Sequence, residues 1–264
     1  MSGKKLNGSG KGTDGKNSPP PGVIEFPSSA ERARRRKEQE EDEKRIRAEY
    51  RAAQKAATGP LFNIGNIPPF ARFFCAAIIV AHVILFVFLD AGERLKILYD
   101  LGFIPGAFTG TYEGHWTNWL SPFTHMLIHG GWMHMAINAL MGLALCTFFE
   151  RHFGTRTAVL FVLLCGLSGA LIYFVLNPFT TAPVIGASGA TSGLFAAVLL
   201  LLSQNGQMGQ IGRKGPWPII AIWAVLMTLI GLIGGGGIAW QAHLGGFLAG
   251  AGLTALMLKG KLKL

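Results

Sequence analysis

The sequence predicts an all-α polytopic membrane protein with six transmembrane helices and both termini in the cytoplasm. Three observations lead there. Half of the 264 residues are hydrophobic and only 14% are charged, a composition that does not suit an ordinary soluble domain. Six apolar stretches, at about residues 70–90, 131–149, 156–176, 184–203, 216–234 and 239–258, are each close to the ~20 residues that cross ~30 Å of hydrocarbon as a helix. The basic residues between them fall mostly on one side. Arg72, Arg151, Arg156, Arg213, Lys214, Lys259, Lys261 and Lys263 share one side. The other side holds residues 91–122, with two basic and three acidic residues, and two loops without charge. The positive-inside bias assigns the first side to the cytoplasm.

The elements follow in order. Residues 1–27 are rich in Gly, Ser, Lys and Pro and are expected to be a disordered tail. Residues 28–60 read as a charged cytoplasmic helix and linker. Ser28 followed by Glu31 fits a capping box, and no Gly or Pro interrupts the run to residue 57. This helix reads as solvated, with Arg32, Arg34, Arg35, Arg36 and Lys37 as an alternative contact to a membrane surface. No signal peptide is expected, because the first apolar run begins near residue 70. Residues 65–258 form the membrane domain, and 259–264 a basic tail. The segment 91–122, with Tyr112, Trp116 and Trp119, reads as an embedded outer loop with short helices of its own.

The net charge of +10 suggests nucleic acid at first sight. However, 14 of the 24 Lys and Arg precede residue 60, and most of the rest flank apolar stretches. No nucleic-acid partner is expected; the lipid bilayer is. Cys75, Cys146 and Cys165 lie within apolar stretches and read as small core residues.

Polar residues inside apolar spans are costly and mark function. The fourth stretch opens on Gly186-Ala187-Ser188-Gly189, and the sixth carries His243. Alone, Ser188 fits a packing role. An imidazole in a span has little packing value, so His243 tips the reading toward a site. Gly189 and Gly193 follow Ser188, and Gly246 and Gly250 follow His243. Small residues four apart let helix backbones approach in lipid, which predicts that the two spans meet. His134 and Asn138 are four apart on the second span, on one face near its outer end. His125 and His129 precede that span. They lack the acidic residue of a helical zinc motif, so no metal and no cofactor are expected. Ser168 is expected mid-span, well below His243, and Ser192 one turn below Ser188. No Asp or Glu follows Glu150. A Ser-His dyad is therefore more economical than a triad.

These residues, His125, His129, His134, Asn138, Gly186-Ala187-Ser188-Gly189 and Ala242-His243 with Gly246 and Gly250, resemble the rhomboid intramembrane serine proteases over about residues 65–258. Glu150-Arg151 with Gly154 resembles the family's turn after the second span. Many members have Trp-Arg where Trp119-Leu120 stands here, and some have an aromatic residue at Ser192. The resemblance implies a rhomboid-like six-helix bundle of the basic bacterial form, in an inner membrane. It implies Ser188 as nucleophile and His243 as general base. His134, Asn138 and the Ser188 N–H would form the oxyanion hole, with His125 and His129 ordering the outer loop. The partners implied are transmembrane helices of substrate proteins. A catalytically silent, helix-binding or chaperone relative is the alternative, although such relatives typically lack the serine or the histidine. A coupled transporter is poorly supported, because the last three spans contain no acid.

Overall fold

A computed structural model describes residues 28–57, 66–204, 218–223, 225 and 239–264. The expectations for residues 1–27 and for most of the fifth stretch, 216–234, lie outside the described residues. The chain divides into two units, Met1–Ala56 and Ala57–Leu264.

The first unit contains α1, Ser29–Ala57. Its capping box forms: Glu31 N–H donates to Ser28 Oγ at 3.2 Å and Ser28 N–H to Glu31 Oε2 at 2.9 Å. Two exposed i,i+4 pairs, Arg34–Glu38 and Arg36–Glu40, add only tenths of a kcal/mol each.

The second unit is helical, with no strand among the described residues and one isolated antiparallel bridge, Phe103–Val184. The first apolar stretch forms α2, Pro69–Val83, which widens into a π-helical turn at Ile84–Phe88. The segment that follows contains α3 (Ala91–Leu101), α4 (Gly106–Thr109), a 3₁₀ turn at Trp116–Leu120 and α5 (Ser121–Thr124). Then come α6 (Trp132–Phe153), α7 (Thr155–Leu176), α8 (Ser188–Gln204) and α9 (Trp240–Leu258).

Four helices are long and apolar enough to cross a membrane: Pro69–Phe88, α6, α7 and α9. Only 28–39% of their most apolar windows is buried. The outward faces carry Phe73, Val80, Val87, Leu140, Leu171, Val175 and Leu248. A water-soluble helix would put polar residues there; these faces suit lipid.

The fourth stretch begins later than 184. Val184 exchanges both backbone hydrogen bonds with Phe103, at 2.8 and 2.9 Å, and the helix starts only at Ser188. The described part of α8, Ser188–Gln204, has 17 residues, roughly 26 Å at ~1.5 Å per residue. The irregular backbone before it survives at this depth because protein covers it: Gly186 and Ala187 are buried.

Inside the bundle α9 packs on both α7 and α8, and α6 on α2. The core is apolar and aromatic, with Phe149 and Phe161 ring centroids 4.2 Å apart and Ile78 and Leu194 fully covered. At the opposite end from Ser188, the turn after α6 holds α2. The Glu150 carboxylate, 3% exposed, accepts from Phe70 N–H (3.1 Å), Ala71 N–H (2.8 Å) and Thr155 Oγ (2.7 Å). A negative group at a helix N-terminus satisfies donors that have no intrahelical acceptor. Arg151 donates to the Asn66 carbonyl at 3.0 Å beside it.

Glu150→Ala is expected to cost about 2–3 kcal/mol by leaving buried donors unmet. Glu150→Gln, which keeps one acceptor oxygen, should lose less. Unfolding midpoints in detergent measure both.

Candidate active site

Ser188 is the first residue of α8, and His243 the fourth of α9. His243 Nε2 and Ser188 Oγ are 2.7 Å apart. A serine hydroxyl donating to Nε2 leaves the imidazole ready to take that proton. Both residues are half-buried.

Glycine makes this contact possible. A Cβ on Gly246 would collide with the Gly189 backbone, and one on Gly250 with the Gly193 backbone. The two four-residue pairs therefore face each other, and α8 and α9 meet backbone to backbone. A third helix joins them. A Cβ on Gly169 of α7 would lie 2.7 Å from the Ala242 carbonyl oxygen, and one on Gly245 would lie 2.6 Å from that of Ser168.

This corrects the expectation for Ser168, which sits within about one turn of the His243 level. The reason is the recessed start of α8. Gly169 lies against Gly189, and α7 continues seven residues to Leu176, roughly 10 Å farther out at ~1.5 Å per residue. Depth counted from span ends places Ser188 and His243 too near the surface relative to α7. Ser192 is buried on α8.

Gly186 has φ +112°, a conformation that glycine adopts without steric cost. A side chain there would also meet His134: the Cβ would lie 2.8 Å from Nε2 and 3.8 Å from Ser188 Oγ. His134 Nε2 thus lies against the turn that carries Ser188. Asn138, 4% exposed, donates from Nδ2 to the His134 carbonyl at 2.9 Å. As the first residue of α8, Ser188 has an N–H without an intrahelical acceptor.

His125 and His129 reach the same turn from the other side. Gly186 N–H donates to the His125 carbonyl at 2.8 Å. His125 Nδ1–H donates to the Ser121 carbonyl at 2.9 Å. His129 Nδ1–H donates to Leu127 O (3.3 Å), and its Nε2 accepts from Ala187 N–H (3.4 Å). That pairing requires a neutral ring. Burial pushes His125 down from 6.5 to about 4. Burial, then the nearby His134, does the same to His129. Among the described residues no group of three His, Cys, Asp or Glu is placed to hold a metal.

One residue was missed from sequence. His82, in α2, is fully buried against Phe86 and Trp132. The rule applied to His243, that an imidazole within a span marks a site, would have found it.

Residues 116–260, more than half of the chain, match the model of the Rhomboid domain. Over 199 residues, 74% of this chain and 95% of the relative, it is 28% identical to the putative rhomboid protease YdcA of Bacillus subtilis (strain 168). It is 33% identical over 96 residues, 36% of this chain, to the rhomboid protease GluP of the same organism, of which the match spans only 18%. Inactive rhomboid protein 1 of Drosophila melanogaster is 30% identical over 128 residues, 48% of this chain and 8% of the relative.

Two outcomes are expected. Gly246→Ala should destabilise the protein by about 1–3 kcal/mol, as overpacking does, whereas Gly252→Ala, with nothing within 4 Å, should not; unfolding midpoints compare them. His129 has a folded pKa near 4, below its ordinary 6.5. The unfolded chain therefore binds more protons between those values. The stability His129 contributes is complete above about pH 6.5 and is lost as pH falls toward 4. The pH slope of the unfolding midpoint in that window should flatten in His129→Gln.

Proposed function

The chain belongs to the rhomboid family, and from that premise we propose that this multi-pass membrane protein is an intramembrane serine endopeptidase with a Ser188-His243 dyad. The observation that carries the proposal is the 2.7 Å hydrogen bond between Ser188 Oγ and His243 Nε2 across two apolar helices. Two relatives named as rhomboid protease and putative rhomboid protease support it.

In the first half-reaction His243 Nε2 takes the Ser188 proton as Oγ attacks the scissile carbonyl. Negative charge then develops on the carbonyl oxygen. The Ser188 N–H, His134 Nε2–H and a second N–H of the Asn138 amide are the donors assigned to it. Preorganised donors are worth most where water is excluded. The start of α8 adds the partial positive charge of its unsatisfied N–H groups. The His243 imidazolium returns its proton to the leaving amine. An acyl ester remains on Ser188, and a water activated by His243 hydrolyses it. No carboxylate is assigned to His243, since no Asp or Glu follows Glu150.

The substrates proposed are helical membrane anchors cut near their outer end, where small or helix-breaking residues let the chain unwind. Six spans, cytoplasmic termini and a bacterial inner membrane complete the proposal; the distribution of Arg and Lys supports this topology. A silent, helix-binding role is the competing reading, and a relative named inactive keeps it in view.

Ser188→Ala and His243→Ala are each expected to abolish cleavage of a model membrane substrate while insertion is retained. A fluorophosphonate should label wild type and not Ser188→Ala. Full cleavage by Ser188→Ala, or wild type that neither cleaves nor labels, would reject the dyad.

A further inference from the structure

α1 is a long helix without an apolar face to account for it. Every residue from Ser28 to Arg45 is exposed. Between Ser29 and Arg45 the only apolar residues are Ala30 and Ala33. A helix that packs through an apolar stripe needs such a residue every three or four positions. This stretch has charge instead, and the charge is sorted by sign.

Five of the six residues 32–37 are basic: Arg32, Arg34, Arg35, Arg36 and Lys37. Five of the next six are acidic: Glu38, Glu40, Glu41, Asp42 and Glu43. Sorting works against an isolated helix. Arg32 and Arg36 are like charges four apart, as are Glu38 and Asp42. Such pairs destabilise a helix about as much as opposite pairs support it. The pairs Arg34–Glu38 and Arg36–Glu40, at 3.0 and 3.3 Å, lie across the seam between the blocks.

The order of the signs is a mirror image with the sign inverted. The mirror lies between Lys37 and Glu38. It reflects Lys37 onto Glu38, Arg35 onto Glu40, Arg34 onto Glu41, Arg32 onto Glu43 and Glu31 onto Lys44, each pair of opposite sign. The other reflections within 28–47 contain at most one charge each, so none sets like against like. At about 3.6 residues per turn a block of six surrounds the helix. The match therefore holds whichever side of α1 is turned to a partner.

A second copy of the chain meets this pattern. A two-fold axis through the mirror point runs the two helices antiparallel and sets each basic block against an acidic one. A parallel copy in register would set like against like. We propose that α1 is a homotypic docking helix: two copies of this protein pair antiparallel through residues 31–44, the basic block of each on the acidic block of the other. Single exposed ion pairs add little, and a network of them is the exception. The membrane domains confine both copies to one bilayer, which raises their effective concentration. Without an apolar seam the pairing depends on salt. The screening length falls from ~8 Å at ~0.15 M to ~3 Å at ~1 M, against ~8–10 Å between packed helix axes. An anionic bilayer surface fits α1 less well, because the acidic block would lie against charge of its own sign.

The test is oxidative cross-linking of the full chain in phosphatidylcholine vesicles. Two differently tagged copies are mixed, one with Ala33→Cys and the other with Asp42→Cys; copies without an added cysteine control for Cys75, Cys146 and Cys165. Positions 33 and 42 share a level in the antiparallel pair. Two copies of position 33 are then nine residues apart, roughly 14 Å at ~1.5 Å per residue, beyond the ~7 Å that a disulfide spans. The 33–42 product is expected to dominate. Reversing Arg34, Arg35 and Lys37 to Glu in both copies turns three opposite pairs into like ones and should lower the yield at least about tenfold. Adding Glu38→Lys, Glu40→Lys and Glu41→Lys to that variant restores the opposite signs and should restore the yield. Raising the salt to ~1 M should lower it again. A dominant 33–33 product, a yield no higher than the control, or a yield indifferent to the reversals overturns the proposal. So does α1 that resists trypsin only when anionic phosphatidylglycerol is present and never cross-links; that result assigns it to the lipid surface. All substitutions lie outside the unit Ala57–Leu264, and the readout is independent of cleavage at Ser188.

Discussion

The site depends on how closely two helix backbones can meet. In lipid there is little hydrophobic gain from bringing helices together, so association relies on close packing and hydrogen bonding. Here Gly189 and Gly193 of α8 face Gly246 and Gly250 of α9, and there is no space for even a methyl group between them. That approach brings a serine and a histidine from different helices to 2.7 Å. Gly169 of α7 wedges against the same junction, so three helices share one point of contact. The small residues beside Ser188 are thus both the frame of the site and the reason it exists.

A second constraint is charge. His125 and His129 are buried, and burial favours their neutral forms. Their hydrogen bonds agree with this: each gives Nδ1–H to a carbonyl, which leaves Nε2 as an acceptor. The carboxylate that the membrane domain buries, Glu150, works at the far end, where it caps α2 and touches Thr155. Charge therefore anchors one end of the domain, while the other end keeps neutral imidazoles.

Much of this was legible in the sequence because membranes punish exceptions. Four of the apolar stretches became long helices close to their expected bounds, since lipid leaves the backbone few alternatives. The pairing of Ser188 with His243 was readable from two glycine pairs at equal spacing. Depth was harder. Hydropathy does not distinguish Val184 and Ile185 in an extended segment from the same residues in a helix, so the start of α8 was placed four residues early and Ser168 too deep. The contacts of Gly169 and Gly245 across α7 involve a third helix, which pairwise spacing does not report. His82 was legible by the rule that picked out His243, an imidazole within an apolar stretch; only the fold brings Trp132 of α6 against it.

The turn before Ser188 is tied to the segment that spans residues 103–129. Phe103 pairs with Val184, Gly106 N–H reaches Thr180 O, Thr109 reaches Pro178 O, and the 125–129 loop holds Gly186 and Ala187. Segment and turn are thus joined as one body. Lifting the segment would break those hydrogen bonds and shift Ser188 away from His243. The alignment of Ser188 therefore depends on the segment staying docked, although neither residue of the pair belongs to it.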